Sequence, residues 1–152
     1  MNVSPLGLSA SGLPCAMPAQ RCRVNSGQLL SACRLAWERG GQLVALWASD
    51  ERDRARGFTV RVLLRDGDGL TLLEHTLPDE GARYPDLSPI FPVANRMQRA
   101  AFDLVGIDFP GHCDLRRLLL PEDWVGYPLR KDFVEPDEYH GISTRRESLL
   151  RG

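Results

Sequence analysis

Phe58-Thr59-Val60-Arg61-Val62-Leu63-Leu64-Arg65-Asp66-Gly67-Asp68-Gly69-Leu70-Thr71-Leu72-Leu73-Glu74-His75-Thr76-Leu77 decides the fold class. Phe58, Val60, Val62 and Leu64 alternate with Thr59, Arg61 and Arg65. Successive side chains of a strand point to opposite faces, so this run is a strand with one buried face. Leu70 to Leu77 is a second strand. Asp66-Gly67-Asp68-Gly69 joins the two as a hairpin, because Asp-Gly tolerates the positive φ values of a tight turn. The same residues do not make an EF-hand calcium loop: Leu70 stands where the fifth-position oxygen ligand belongs, and Leu77 where the bidentate Glu belongs.

Upstream, Gln42 to Ala48 is nearly all apolar, as suits a strand covered on both faces. Before it, Leu29, Leu30, Cys33, Ala36 and Trp37 give the stripe of a helix lying on a core. Asn25 or Ser26 caps that helix, which runs to about Arg39, and Gly40-Gly41 stops it. Trp37 is thereby expected in the core. Arg21 to Val24 reads as a short first strand. Met1 to Gln20 has neither a basic n-region nor a long apolar h-region, so it reads as a flexible leader and not as a secretory signal.

Downstream, Pro85, Pro89 and Pro92 stiffen a connection that is neither regular helix nor central strand. A second helix is predicted to open at Asn95, with Gln98 at N3 completing a capping-box-like pair, and to end at Val105 before Gly106. Met97, Ala101, Leu104 and Val105 face inward; Arg99 and Asp103, four apart, are expected to pair weakly on an exposed face. The sum is class α+β: a three- or four-stranded, mainly antiparallel sheet packed with two helices, followed by an extended Pro/Gly-rich C-terminal tail.

Composition bounds the function. The 152 residues have a net charge of −1, and residues 1–100 hold 12 Arg/Lys against 10 Asp/Glu while 101–152 hold 7 against 10. No one-signed basic face of the kind nucleic acid requires is encoded. The longest apolar run, Leu43 to Ala48, is six residues, where a membrane helix needs about twenty. Cys15, Cys22, Cys33 and Cys113 form no CxxC pair and no clustered quartet for zinc or iron–sulfur, and read as reduced thiols of a cytoplasmic protein.

Residues 108–133 are broken by Pro110, Gly111, Pro121, Gly126 and Pro128, yet carry Phe109, Leu118, Leu119, Leu120, Trp124, Tyr127, Leu129 and Phe133. Such a stretch must lie against something, and it is expected to embrace a neighbouring chain instead of completing its own core. The organisation expected is a leader over 1–20, an α+β domain over 21–107, a partner-binding tail over 108–133 and a polar segment over 134–152.

Gly111-His112-Cys113-Asp114-Leu115-Arg116-Arg117-Leu118-Leu119-Leu120-Pro121-Glu122-Asp123-Trp124 and Gly126-Tyr127-Pro128-Leu129-Arg130-Lys131-Asp132-Phe133 together resemble one family, the C-type subunits of NADH:quinone oxidoreductase, respiratory complex I. That family includes related subunits of membrane-bound nickel–iron hydrogenases and formate hydrogenlyases. The resemblance extends upstream through Ile90-Phe91-Pro92, Arg99, Asp103-Leu104 and Gly106-Ile107, and loosely over residues 25–133. It implies a subunit that itself binds no flavin, metal or cluster and packs against the large and small electron-transfer subunits of the hydrophilic arm. NADH, flavin, iron–sulfur clusters and quinone, or a nickel–iron centre, would then belong to the partners. The location implied is cytoplasmic, peripheral on the inner face of the membrane through the complex. Gln98-Arg99-Ala100 stands where the family usually has E-R-E, so two acids are missing from a surface expected to face neighbours, and Cys113 stands where G-H-P-D is common. Because the chain closes at Gly152, the large subunit is expected to be separate.

The partner-binding residues expected are Arg99, Asp103, Asp114, Arg116, Arg117, Leu120, Pro121, Asp123, Trp124, Pro128, Leu129, Arg130, Lys131 and Asp132, with Trp124 as anchor, because apolar groups interleaved with charges describe an interface. His112-Cys113 could seed a metal or nucleophile site, but neighbours in an extended chain point to opposite sides, which favours a turn. His75 is expected to be a satisfied, half-buried histidine and His140 to be solvated.

Overall fold

A computed structural model describes residues 20–54, 57–67, 69–77 and 83–144. Residues 1–19 of the expected leader, with Cys15, the hairpin residue Asp68 and residues 145–152 of the polar segment lie outside the described residues, while Gln20, expected in the leader, opens a strand.

Strand β1 (Gln20–Arg23) leads into helix α1 (Ser26–Glu38), strand β2 (Gln42–Asp50) and a short 3₁₀ turn at Arg52–Arg54. Strands β3 (Phe58–Asp66) and β4 (Gly69–Leu77) form the expected hairpin, in register from Phe58↔Leu77 to Asp66↔Gly69. The sheet order is β1-β4-β3-β2, with β1 parallel to β4 and the other pairs antiparallel. Helix α2 (Ala94–Val105) follows, and a small hairpin of β5 (Glu138–Tyr139) and β6 (Ile142–Ser143) closes the described chain.

Helix α1 begins as its sequence dictates. Asn25 Oδ1 accepts from Gln28 N at 2.9 Å, while Gln28 Oε1 accepts from Asn25 N at 3.0 Å, a reciprocal capping box. Its end demands glycine: a Cβ on Gly41 would lie 2.7 Å from Ala36 O. Leu29, Cys33 and Ala36 face the sheet and meet Val60, Val62, Leu64 and Leu73 in one core. Burial in that core pushes the Cys33 thiol up to about 12, leaving it neutral and unreactive. Trp37 departs from expectation: it is 54% exposed at the margin of the stripe, with its ring edge-on to Phe91 at 5.7 Å. His75 fits its expectation, since Nδ1 lies 2.9 Å from Val24 O and Nε2 2.9 Å from Ser26 Oγ.

Helix α2 opens one residue earlier than predicted. Val93 is its N-cap, no side chain caps it, and Asn95 lies inside the helix with its amide 3.9 Å from Cys113 Sγ. Gln98 is fully buried instead of facing a neighbour. With its amide oriented by the surrounding donors and acceptors, Nε2 donates to Asp86 Oδ1 at 3.0 Å and Oε1 accepts from Leu87 N at 3.2 Å, which ties the Pro-rich connection to α2. Ile107 and Phe109 join the core, both buried with Tyr84 and Leu87.

Candidate partner-binding surface

The residues after Phe109 lie along α2, and side chains of the domain supply the hydrogen bonds that a proline-broken segment cannot make for itself. Asp103 is the first such support. Its side chain has no exposure; Oδ2 accepts from the N–H groups of Leu118 (3.0 Å), Leu119 (2.7 Å) and Leu120 (2.9 Å), and Oδ1 accepts from Arg117 Nη1 at 2.8 Å. Burial would raise this carboxyl, but the three N–H groups and the guanidinium outweigh it and hold the group below the usual carboxylate range. The expected exposed Arg99–Asp103 pair is therefore absent: Asp103 turns inward because three converging N–H donors and Arg117 offer it more than one surface cation.

Arginines complete the clasp. Arg117 Nη2 donates to Trp124 O (2.8 Å) and Gly126 O (3.0 Å). Arg99 donates to Arg116 O (3.1 Å) and Arg117 O (2.9 Å), with Asp114 at 3.4 Å, and Arg116 pairs with Asp114 at 2.8 Å. Arg130 crosses the C-terminal end of α2, donating through Nε to Val105 O (2.7 Å) and through Nη2 to Gly106 O (3.3 Å), and stacks 4.4 Å from the Tyr127 ring centre and 5.1 Å from that of Phe58. A cation at a helix C-terminus completes orphan carbonyls and complements the dipole. The fit excludes any side chain at Gly106, whose φ is 77° and whose hypothetical Cβ would lie 2.4 Å from Arg130 Nη2 and 2.7 Å from Tyr127.

A second carboxylate, missed by the sequence reading, anchors the far end of the tail. Asp50, buried at the close of β2, accepts from Lys131 N at 2.8 Å and from Arg52 at 2.6 Å, and Arg52 reaches on to Asp132 at 2.6 Å. Arg52, with the Lys131 and Arg52 N–H groups, overcomes the cost of burial and holds the Asp50 carboxyl well below its usual range. No local signal could have marked this, because Asp50 and Lys131 are 81 residues apart.

The side chains of the remaining expected site residues take no part in the clasp, although Leu120, Trp124 and Lys131 lend it backbone groups. Trp124 is half-buried in its own chain, near-parallel to Phe133 (centroids 6.4 Å) and 5.1 Å from Tyr139, with its indole N–H enclosed and unpaired. Asp123 accepts from Tyr139 OH and lies beside His140 Nε2, both at 2.8 Å, and His140 stays solvent-exposed as expected, its side chain 64% exposed. Leu120 and Pro128 are half-buried; Pro121, Leu129 and Lys131 are exposed. His112 Nδ1 accepts from Asp114 N at 3.1 Å, and Nε2 faces Asn95 O at 3.3 Å, so both ring nitrogens are engaged in a turn and neither meets Cys113. Among the described residues no group of three or more His, Cys, Asp or Glu converges as a metal site, and no helix is long and apolar enough to cross a membrane.

What the clasp leaves outward is apolar. Leu118, Leu119, Val125, Leu129, Val134 and Ile142 are exposed, six of the eleven large hydrophobic residues exposed in the described chain. Concentration of such groups on one rigidly held segment is the mark of an interaction surface.

The fold and the sequence both have known counterparts. A trypsin-resistant fragment of Nqo5 superimposes with a TM-score of 0.57 at 20% identity, covering 73% of this chain and 89% of that one. A chain of the membrane-bound sulfane sulfur reductase, an archaeal respiratory membrane complex, does so equally well over 79% of this chain and 75% of its own. By sequence, the chain is 45% identical over 97 residues to the NAD(P)H-quinone oxidoreductase J subunit of Synechococcus sp. (strain RCC307), a match covering 64% of this chain and 48% of that protein. It is 48% identical over 63 residues to the NADH-quinone oxidoreductase C subunit of Chlorobium phaeobacteroides, covering 41% and 38%. These sequence matches span less than half the length of the relatives. The family profile described as "Respiratory-chain NADH dehydrogenase, 30 Kd subunit" matches residues 22–139, and with well over half of its length so matched the chain belongs to that family.

Proposed function

We propose that this chain is a cofactor-free structural subunit of a complex-I-like, membrane-associated oxidoreductase, which docks the large electron-transfer subunit in the hydrophilic arm. The observation that carries this reading is the tail itself: a segment tied to α2 by Asp103, Arg99, Arg117 and Arg130 that points Leu118, Leu119, Val125 and Leu129 away from its own domain. A surface held in this way binds without a large ordering cost, because its entropy is lost on folding and not on association. Flavin, iron–sulfur clusters, NADH and quinone belong in this reading to the partner subunits, and the chain reaches the inner face of the membrane only through them. The relatives named as the C and J subunits of quinone oxidoreductases favour an NADH:quinone parent over a nickel–iron hydrogenase.

The test is Leu119→Asp with Leu129→Asp. Both side chains are exposed (62% and 56%), so the isolated variant keeps its melting midpoint. Recovery of the large subunit with the tagged full chain is expected to fall to background; undiminished recovery overturns the docking role.

A further inference from the structure

The arginines of the tail and of the domain beneath it are largely used within the chain. Arg99, Arg117 and Arg130 are spent on internal carbonyls and on Asp103, and Arg52 on Asp50 and Asp132. The charge that remains along the exposed apolar groups is mainly acidic: residues 118–142 contain six carboxylates against Arg130 and Lys131. Glu122, Glu135 and Glu138 are exposed and enter no ion pair among the described residues. In the chain Glu122 and Glu135 lie two residues from Trp124 and Phe133, and Glu138 adjoins Tyr139; these three rings pack together, and Val125 and Val134, the neighbours of Trp124 and Phe133, are 86% and 84% exposed. Ile142 joins them, since it stands directly across the small hairpin from Tyr139 and cross-strand partners share a face.

We infer that Val125, Val134 and Ile142, rimmed by Glu122, Glu135 and Glu138, form a docking patch for a protein surface that is apolar at its centre and carries lysines or arginines at its edge. This rests on the docking reading above and adds the chemistry of the partner's face. Charge complementarity selects that occupant: an acidic rim repels both an anionic membrane surface and a second copy of the same patch, and steers a basic-rimmed protein into place. The patch is prearranged, since Asp123 is held by Tyr139 and His140 and the ring cluster fixes the three segments relative to one another.

Competition for places in the complete complex tests this. Wild-type and variant full-length chains are co-expressed at equal level with their own complex, the complex is isolated, and the ratio of variant to wild-type peptides is read by mass spectrometry. Glu122→Lys with Glu135→Lys and Glu138→Lys is expected to lower incorporation roughly tenfold, and the corresponding Gln variant to lower it less, as loss of rim attraction is milder than repulsion. Val125→Asn with Val134→Asn is expected to lower it as well. Melting midpoints of the isolated chains show that each variant folds; if the Lys variant does not, the Gln variant decides. Unchanged or improved incorporation of the charge variants overturns the acidic rim, and if Leu119→Asp with Leu129→Asp is still excluded, the docking reading stands without it. An isolated chain that dimerises through Val125 and Val134 while competing normally would assign the patch to a second copy and overturn the proposal too.

Discussion

Between α1 and the sheet, the groups removed from water are Leu29, Cys33, Val60, Val62, Leu64 and Leu73; between the domain and the tail, the groups that fix geometry are Asp103 on α2 and Asp50 at the end of β2, both without side-chain exposure. Apolar burial is non-directional, contributing about 1.5–3 kcal/mol for each large side chain whatever its orientation. The carboxylates act by direction: together they accept from the N–H groups of Leu118, Leu119, Leu120 and Lys131. A segment rich in proline and glycine has no ladder of its own, so its order depends on whether a few acceptors of the domain stay charged and in place.

That difference breaks most visibly at Asp103. Asp103→Ala leaves Arg117 and three N–H groups without their acceptor, and removing one partner of a buried charge pair costs about 3–5 kcal/mol. A fall in the urea midpoint of that order is expected, together with tryptic cleavage inside residues 114–133 before the sheet is attacked. Leu29→Ala, at 0% exposure on α1, is the counterpart in the other half: it costs about 2–5 kcal/mol through transfer and cavity terms. Its midpoint should fall comparably while the tail is cut no earlier than the rest. Equal cleavage patterns for the two variants would show that the halves are not held differently.

Acid sharpens the contrast. Asp103 and Asp50 both titrate below the ordinary Asp value in the folded chain, so the unfolded state binds more protons as pH falls. Their contribution is complete above the unfolded pKa of about 3.9 and is lost as pH drops below it through the depressed folded values. The urea midpoint is therefore expected to hold from pH 7 to 5 and to decline toward pH 3. Asp103→Asn should flatten that decline, whereas Leu29→Ala should shift the whole curve down without changing its slope.

How far the sequence carried the fold follows the same division. The hairpin, the start of α1 and the core stripe were legible because each is a local pattern: period two with an Asp-Gly turn, a capping residue at Asn25 or Ser26, and apolar residues at helical spacing. Trp37 was misplaced because a stripe names its members but not its margin. The tail's composition and its D-L-R-R run marked it as special, but not the direction in which Arg117 and Arg130 turn. That direction depends on Asp103 and on the carbonyls at the end of α2, which are 14 and 25 residues away. Asp50 lay at the end of a strand predicted to stop at Ala48, and its partner is further away still.

Gly106→Ala probes the joint between the halves with a smaller effect. The left-handed backbone alone costs about 1–2 kcal/mol for a residue with a Cβ, and that Cβ would push on Arg130 and Tyr127. The thermal midpoint should fall modestly, and the strain should be relieved by lifting residues 127–130 off α2, so proteolysis near Arg130 should quicken more than the midpoint predicts. If cleavage and midpoint change in proportion, the tail is not a separately releasable unit.

The smallest effect is expected at Asp132→Asn, and its smallness is informative. Asp132 receives Arg52 in a two-pronged pair with bonds of 2.6 and 3.1 Å, which by geometry looks as firm as the Asp103–Arg117 contact. Its side chain, however, is 63% exposed, whereas Asp103 and Asp50 are closed off. Water and salt screen an exposed pair, and Arg52 retains Asp50 when Asp132 is neutralised, so no buried group is orphaned. A barely resolved change in melting midpoint is expected at low salt, vanishing as ionic strength rises, with Lys131 N still held by Asp50 and the tail protected. A loss approaching that of Asp103→Ala would mean that the Arg52 bridge, and not the enclosed carboxylates, is what keeps the far end of the tail in place.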